Sequence, residues 1–149
     1  QYTELPSSLA PVLENLGQNQ PRRQDVEMMI VPQRIQVAEP DFQKIVQELM
    51  DNAFKFSLPS TPVQLEAVVQ DGICQLTIRD HGRGMAKEEL SSIGAHVQFQ
   101  RPQFEQQGSG LGLTLAQRLT ELYGGQLAIA SVPGEGTTIT IQGWESAPI

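Results

Sequence analysis

Features that would place a chain in several common classes are scarce or absent here. Cysteine occurs only at Cys74, so no internal disulfide can form, and this usage is typical of a reducing compartment. No apolar run reaches the roughly 18 residues of a membrane span, and the N-terminal segment lacks the basic and apolar regions of a signal peptide. We therefore expect a cytoplasmic domain without membrane contact. Because the chain begins at Gln1 without an initiator methionine, we expect a longer protein, which is free to carry a membrane anchor elsewhere.

Positive charge is also scarce. Ten Lys and Arg residues stand against 17 Asp and Glu residues, which gives a net charge of -7 and a pI of about 4.7. Nucleic acids and anionic membrane surfaces require a basic patch, so this composition argues against both as partners. A polyphosphate ligand is compatible with it, because a metal ion and a few local cations can outweigh the overall field.

The 149 residues, 39% of them hydrophobic, predict one domain with a substantial core. Apolar spacing predicts helices at 7–19, 41–56, 86–93 and 111–123, and strands near 26–31, 34–38, 64–70, 73–80, 126–131 and 137–142. We expect an N-terminal helix and connector over 1–25, and the main domain over 26–149. Residues 94–110 have no periodicity, which predicts either a functional loop or a disordered one. The mixture predicts an α/β or α+β layer with helices on one face of a sheet.

The hairpin of 64–70 and 73–80 has the clearest predicted register. Asp71-Gly72 has the composition of a type I′ turn. The register pairs apolar residues of one face: Val69 with Cys74, Ala67 with Leu76, and Leu65 with Ile78. The same alternation directs Asp80 to this face, and a buried carboxylate requires a hydrogen-bond donor.

Polar side chains border the apolar stripe of the helix at 41–56. Glu48, Asn52 and Lys55 fall within roughly 60° of one another on the helix surface. Asn offers an oxygen ligand to Mg²⁺, Glu can accept a proton, and Lys can face phosphate. The alternative is a solvated helix edge with intrahelical pairs.

Glycines follow the strand that ends at Asp80. The segment "DHGRG" lets the backbone turn sharply and approach a ligand closely. An adenine amino group is one donor that would satisfy the Asp80 carboxylate. Alternatively, Asp80 caps a following helix or bonds the turn itself.

A second glycine-rich segment, "GSGLGL" at 108–113, opens a predicted helix. Unpaired N–H groups at a helix N-terminus form an anion site, although a hinge would have the same composition. The P-loop motif is absent from the chain. The segment "GEGTT" at 134–138 predicts a plain hairpin turn.

In this order, "ELMDNAFKFS", "DHGRGM", a phenylalanine-bearing loop, "GSGLGL" and "GEGT" closely resemble the N, G1, F, G2 and G3 boxes of bacterial sensor histidine kinases. The resemblance covers roughly residues 26–142 and is to the catalytic and ATP-binding domain of the Bergerat-fold superfamily. It implies an α/β sandwich, in which a mixed β-sheet carries about three helices on one face and a mobile lid covers ATP.

The resemblance also implies roles for single residues. Glu48 matches the catalytic acidic residue that activates the phosphoacceptor histidine, and Asn52 the residue that coordinates Mg²⁺. Asp80 matches the residue that receives the adenine amino group. The other implied ATP-binding positions are Lys55, Gly82, Gly84, Phe99, Arg101, Gly108, Gly110, Leu111, Gly112, Leu113 and Thr137. The resemblance implies a short lid, because two glutamines alone separate "RPQFE" from the glycines.

The implied cofactors are ATP and Mg²⁺, and the implied partners are a histidine phosphoacceptor and dimerisation domain and a response regulator receiver domain. Neither His81 nor His96 precedes a long amphipathic hairpin, so we expect the acceptor histidine outside this chain, and the isolated domain to be monomeric. Two alternatives remain: a non-catalytic nucleotide-binding regulatory module, and a serine kinase of the anti-sigma-factor type in the same superfamily.

Overall fold

The structure, a computed structural model, describes residues 2–19, 22–84 and 109–149. Its α-helices are α1 (Ala10–Asn19), α2 (Glu39–Phe56) and α3 (Ser109–Leu122), and short 3₁₀ helices lie at Ser7–Leu9 and Arg23–Asp25. Its strands are β1 (Thr3–Leu5), β2 (Val26–Ile30), β3 (Gln33–Ile35), β4 (Val63–Gln70), β5 (Ile73–Asp80), β6 (Gln126–Val132) and β7 (Gly136–Ala147). The helix predicted at 86–93 and most of the loop predicted over 94–110 lie outside the described residues.

Seven strands of the described ranges form one mixed sheet in the order β1-β3-β7-β5-β4-β2, with β6 also beside β7. β2 runs parallel to β4, and the other pairs are antiparallel. The long β7 pairs with β6 through its first part and with β3 through its last residues. The extra residue in β7 is Gly143 (φ 105°), a bulge that shifts the register against β5.

The helices cover one face of this sheet. Buried residues alternate with more exposed ones along β4, β5 and β7, so one face of the central strands is apolar. That face packs against the apolar stripe of α2, in which Phe42, Ile45, Val46 and Leu49 are almost completely buried. Trp144 completes the core, with its ring edge-on to Phe42 at a centroid distance of 6.1 Å. This is the α/β architecture that the sequence predicted.

Helices α2 and α3 run antiparallel across the sheet. The Tyr123 hydroxyl, just after α3, donates a hydrogen bond to the Asp41 carboxylate near the start of α2. At the opposite end, Gly112 in the first turn of α3 lies against Glu48 in the second half of α2. Two predicted site segments that are distant in the chain therefore meet.

The hairpin prediction is confirmed in register and turn type. Val69 pairs with Cys74, Ala67 with Leu76 and Leu65 with Ile78. Asp71 and Gly72 both have positive φ, 54° and 75°, as a type I′ turn requires. Helix α2 begins two residues before its predicted start, with Pro40 in its first turn.

The predicted strand bounds were wrong at two places, and one strand was missed. β3 covers Gln33–Ile35 instead of 34–38. β7 continues to Ala147, past the predicted end at 142, because the bulge at Gly143 interrupts the alternation by which a strand is recognised. β1 was not predicted, since its three residues are too few to show a period. No described helix is both long and apolar enough to cross a membrane.

Candidate functional site

The candidate site is built first on the contact between α2 and the N-terminal turn of α3. Glu48 Oε2 lies 2.7 Å from Lys44 Nζ, one turn earlier in α2. A Cβ added to Gly112 would clash with Glu48 Oε1. Glycine at 112 thus allows the first turn of α3, where backbone N–H groups lack helical partners, to approach the Glu48 carboxylate.

Asn52 lies one turn further along α2 and is 6% exposed. Its Nδ2 atom is buried and has no hydrogen-bond partner among the described residues. An unpaired buried amide is costly, and most such groups in folded proteins are satisfied by protein, water or ligand. Rotation of the carboxamide presents an oxygen to a cation or a nitrogen to an anion. Asn52 therefore fits a metal–polyphosphate ligand.

Asp80, the last residue of β5, forms a second part of the site. It is 4% exposed, as the alternation predicted, and it pairs in register with Thr137 of β7. Gly82 donates its backbone N–H to Asp80 Oδ1 at 2.9 Å, so the predicted alternative of a turn bond is present. An ionised carboxylate has further acceptor sites, which leaves room for a ligand donor.

Burial sets the electrostatics of Asp80. Loss of water raises the pKa of its carboxyl above the ordinary 3.8, and the N–H groups of Gly82 and Thr137 offset part of this increase. Coulombic interactions with His81 and Arg22 also lower the pKa of the Asp80 carboxyl, in the same direction as these N–H groups. A donor that enters the site would therefore favour the charged form of Asp80.

The glycines after Asp80 are required by close backbone contacts. A Cβ on Gly82 would clash with the carbonyl of Phe56, at the end of α2. Gly84 has φ 73°, and a Cβ there would clash with the carbonyl of Val132. The Arg83 N–H donates to the Phe56 carbonyl at 3.0 Å. The turn is thus held between α2 and the β6–β7 hairpin.

Two cations lie at this edge of the protein. The Arg83 guanidinium stacks over the Phe56 ring, with Cζ 4.2 Å from the centroid. Partial burial lowers the pKa of Lys55, and the charge of Arg83 lowers it further, which indicates that these two side chains are neighbours. This local positive charge contrasts with the net charge of -7 and suits a polyphosphate.

Other predicted site residues are placed to different degrees. Thr137 is 3% exposed and lies beside Asp80. Gly110 and Leu111 lie in the first turn of α3, and the Leu113 side chain is buried in the core. Phe99, Arg101 and Gly108 lie outside the described residues, so their roles stay predictions.

Arg22 is a residue that the sequence analysis missed. It is 7% exposed, and its guanidinium donates to the carbonyls of Phe54, Ser57, Leu58 and Thr61, all at or after the end of α2. Its Nε atom also lies 2.8 Å from Asp25 Oδ2, and this hydrogen bond lowers the pKa of Asp25. Arg22 fixes the end of α2 against which Gly82 packs. The sequence predicted only a polar connector for the segment around Arg22, and no pattern there indicated these hydrogen bonds.

The family that matches this chain and the known proteins that resemble it agree with one another. Residues 37–145 match the family described as histidine kinase-, DNA gyrase B-, and HSP90-like ATPase. A sensor-like histidine kinase of Rhizobium meliloti (strain 1021) is 38% identical over 102 residues, which cover 67% of this chain and 19% of that protein. The histidine protein kinase DivJ of Caulobacter vibrioides is 33% identical over 100 residues, covering 66% of this chain and 17% of DivJ. The chain thus spans under a fifth of either relative's length.

Solved structures share the fold. The mycobacterial sensor histidine kinase MprB superposes with a TM-score of 0.81 at 24% identity, covering 100% of this chain and 99% of that one. Full-length ShkA in complex with AMPPNP gives a TM-score of 0.73 at 23% identity, covering 100% of this chain and 32% of that one. At this identity the likeness establishes the architecture alone.

Proposed function

This chain belongs to the family of histidine kinase-, DNA gyrase B- and HSP90-like ATPases, and we propose that it is the Mg²⁺-ATP-binding catalytic domain of a two-component sensor histidine kinase. The proposed reaction transfers the γ-phosphoryl group of ATP to a histidine of a separate dimerisation and phosphoacceptor domain. A response regulator receiver domain is the proposed final acceptor. The curated relatives DivJ and the Rhizobium protein are histidine kinases by name, which supports this choice within the family.

The observation that carries the proposal is the buried carboxamide nitrogen of Asn52, which has no hydrogen-bond partner among the described residues. Asn52 lies one helical turn beyond Glu48, whose carboxylate lies against Gly112 in the first turn of α3. A structural helix edge would leave such an amide exposed or paired. A carboxamide oxygen, unpaired backbone N–H groups and two nearby cations form a donor set that suits Mg²⁺ and a triphosphate. When bound, Mg²⁺ would supply charge neutralisation at the phosphates.

The chain's own residues would contribute mostly by positioning and electrostatics, as in other phosphoryl transfers. Asn52 would hold the metal, while Lys55 and the α3 N-terminus would lie near the phosphates. Asp80 would accept a hydrogen bond from the adenine amino group.

Glu48 would act on the nucleophile. As an imidazole nitrogen bonds to the γ-phosphorus, the bond from phosphorus to the ADP oxygen breaks. The proton on the other ring nitrogen passes to the Glu48 carboxylate. The ammonium of Lys44 holds Oε2 and so orients this carboxylate. Oε1 lies on the side of Gly112, at the N-terminus of α3.

Glu48→Gln in the full-length protein tests the proposal. We expect the rate of phosphohistidine formation from ATP to fall by about 10²–10⁴-fold, the usual contribution of a general base. ATP affinity should change little, because glutamine has nearly the same shape. Glu14→Gln is the matched control, since Glu14 is exposed on α1. A wild-type rate in Glu48→Gln would contradict the proposed chemistry, and phosphoserine on a partner would indicate the serine-kinase alternative.

A further inference from the structure

Ser131 of β6 contacts the residue that faces Asp80, and no role follows for it from the site described above. Its Oγ atom lies 2.8 Å from Thr137 Oγ1. The same Oγ donates a hydrogen bond to the Gly136 carbonyl at 3.2 Å. Ser131 is partly buried, whereas Thr137 is 3% exposed. The two hydroxyls therefore form a short chain from the edge of the hairpin into the site.

Thr137 brings this chain to Asp80. The two residues are register partners on β7 and β5, and both side chains are buried on the helix-covered face. Directly opposite residues of antiparallel strands have Cβ atoms about 4.5–5.5 Å apart. The Thr137 N–H also lowers the pKa of the Asp80 carboxyl, in opposition to burial. The Thr137 hydroxyl and the Asp80 carboxylate thus belong to one small polar group.

The number of protons in this group decides whether it presents hydrogen-bond donors or acceptors to a ligand. A serine hydroxyl has one proton, and Ser131 places it on the Gly136 carbonyl. Either hydroxyl could donate across the 2.8 Å contact with Thr137, but only donation by Thr137 to Ser131 Oγ allows both hydrogen bonds of Ser131 to form. The Thr137 oxygen is left with lone pairs alone. Next to it, the ionised Asp80 carboxylate is also an acceptor. Two adjacent acceptors favour a ligand group that carries N–H donors and repel a carbonyl oxygen.

We propose that Ser131 is a positioning residue that sets the preference of the site for 6-amino over 6-oxo purine nucleotides, by fixing the Thr137 hydroxyl as an acceptor. The inference rests on the proposed nucleotide binding. Without the Ser131 hydroxyl, the Thr137 proton can rotate towards the ligand and donate to a 6-oxo group. Removing Ser131 should therefore change which base is bound, beyond any effect on affinity in general.

Titration of ATP and inosine triphosphate, each with Mg²⁺, tests the proposal by calorimetry. The decisive pair is Ser131→Thr and Ser131→Val, because threonine and valine have the same shape and only threonine keeps the hydroxyl. Both are β-branched and suit a strand. Ser131→Ala is a second variant without the hydroxyl. If Ser131→Val or Ser131→Ala alone retains a wild-type melting transition, that variant is sufficient for the test. Thr140→Val is the control, because Thr140 lies on β7 but outside the buried set.

Wild type, Ser131→Thr and Thr140→Val should share one ATP-to-inosine-triphosphate affinity ratio. The ratio in Ser131→Val and Ser131→Ala should fall by about five-fold, the effect of one redirected hydrogen bond. An unchanged ratio, or an equal loss for both nucleotides, would overturn the role of Ser131 while leaving the proposed function standing. If wild type binds neither nucleotide, the proposed function fails, and this inference fails with it.

Discussion

The two ends of the candidate site are built differently. Around Asp80, the polar groups are paired within the protein: the carboxylate accepts from Gly82, and Thr137 contacts Ser131. Around Asn52, a buried carboxamide nitrogen has no partner in the described part of the chain. The Asp80 end is therefore preorganised by the sheet, whereas the Asn52 end has a buried amide nitrogen whose hydrogen bonds a ligand can supply.

The glycines of the two ends differ in the same way. At Gly82 an added Cβ would meet the backbone of Phe56 and Ser57, which cannot move without displacing the end of α2. At Gly112, among the residues that the structure describes, an added Cβ would meet only the end of the Glu48 side chain, which can rotate away. Close packing at Gly82 therefore stabilises the fold, whereas close packing at Gly112 determines the position of the Glu48 carboxylate.

Gly82→Ala should produce the largest effect on stability and would break the Asp80 end. We expect the free energy of unfolding to fall by about 3 kcal/mol, at the upper end of the cost of overpacking, since the contact is with backbone. Urea denaturation measures this loss. Gly134→Ala is the control. Gly134 has φ 84°, but no atom of the described part of the chain lies near its Cβ position, so the cost should be about 1 kcal/mol, from the left-handed conformation alone. Equal losses in the two variants would contradict the proposed contact.

Acidification should weaken nucleotide binding through Asp80. Burial raises the pKa of this carboxyl above 3.8. Below the raised pKa the ATP affinity should fall by up to about ten-fold per pH unit, as the charged acceptor is lost. The folded-state pKa lies above the unfolded one, so the contribution of Asp80 to stability without ligand is greatest below 3.8 and decreases as the pH rises through the raised pKa.

Calorimetry of ATP binding across this pH range measures the effect. In Asp80→Asn, which cannot ionise, the pH dependence due to this group should disappear, while the titration of ATP itself is unchanged. An identical pH profile in wild type and Asp80→Asn would show that Asp80 does not receive the ligand.

Gly112→Ala should have the smallest effect on stability and separates packing from positioning. Alanine is favoured over glycine in a helix by about 1 kcal/mol, so the free energy of unfolding should be unchanged or slightly raised. The displaced Glu48 carboxylate should nevertheless slow phosphohistidine formation in the full-length protein by about ten-fold or more. Urea denaturation and the phosphorylation rate together measure this split. A loss of stability like that of Gly82→Ala would contradict the difference between the two ends.

The parts of the site that could be predicted from the sequence depend on local patterns. The burial of Asp80 follows from the period of β5, and the hairpin register follows from Asp71-Gly72. The ion pair between Lys44 and Glu48 is also local, since the two residues are i, i+4 neighbours on α2. The sequence analysis allowed for intrahelical pairs in general and did not name this one.

The parts that could not be predicted join distant segments. The approach of Gly112 to Glu48 depends on how α3 packs on α2, and no spacing in either segment encodes it. The same is true of Arg22, whose hydrogen bonds reach from the connector before β2 to the end of α2. Ser131 belongs to the β6–β7 hairpin, for which the sequence predicted only a plain turn. Its proposed role depends on the side-chain contact with Thr137 across these two strands.

The most direct test of the difference between the two ends is calorimetric titration with ATP, in the presence and absence of Mg²⁺, of wild type, Asn52→Ala, Asp80→Ala and the exposed control Asn15→Ala. Wild type and Asn15→Ala should bind ATP more tightly with Mg²⁺ and should prefer ATP to inosine triphosphate. Asn52→Ala should lose the dependence on Mg²⁺ and keep the base preference, and Asp80→Ala should show the reverse. Failure of wild type to bind nucleotide, or a dependence on Mg²⁺ that survives in Asn52→Ala, would contradict the account.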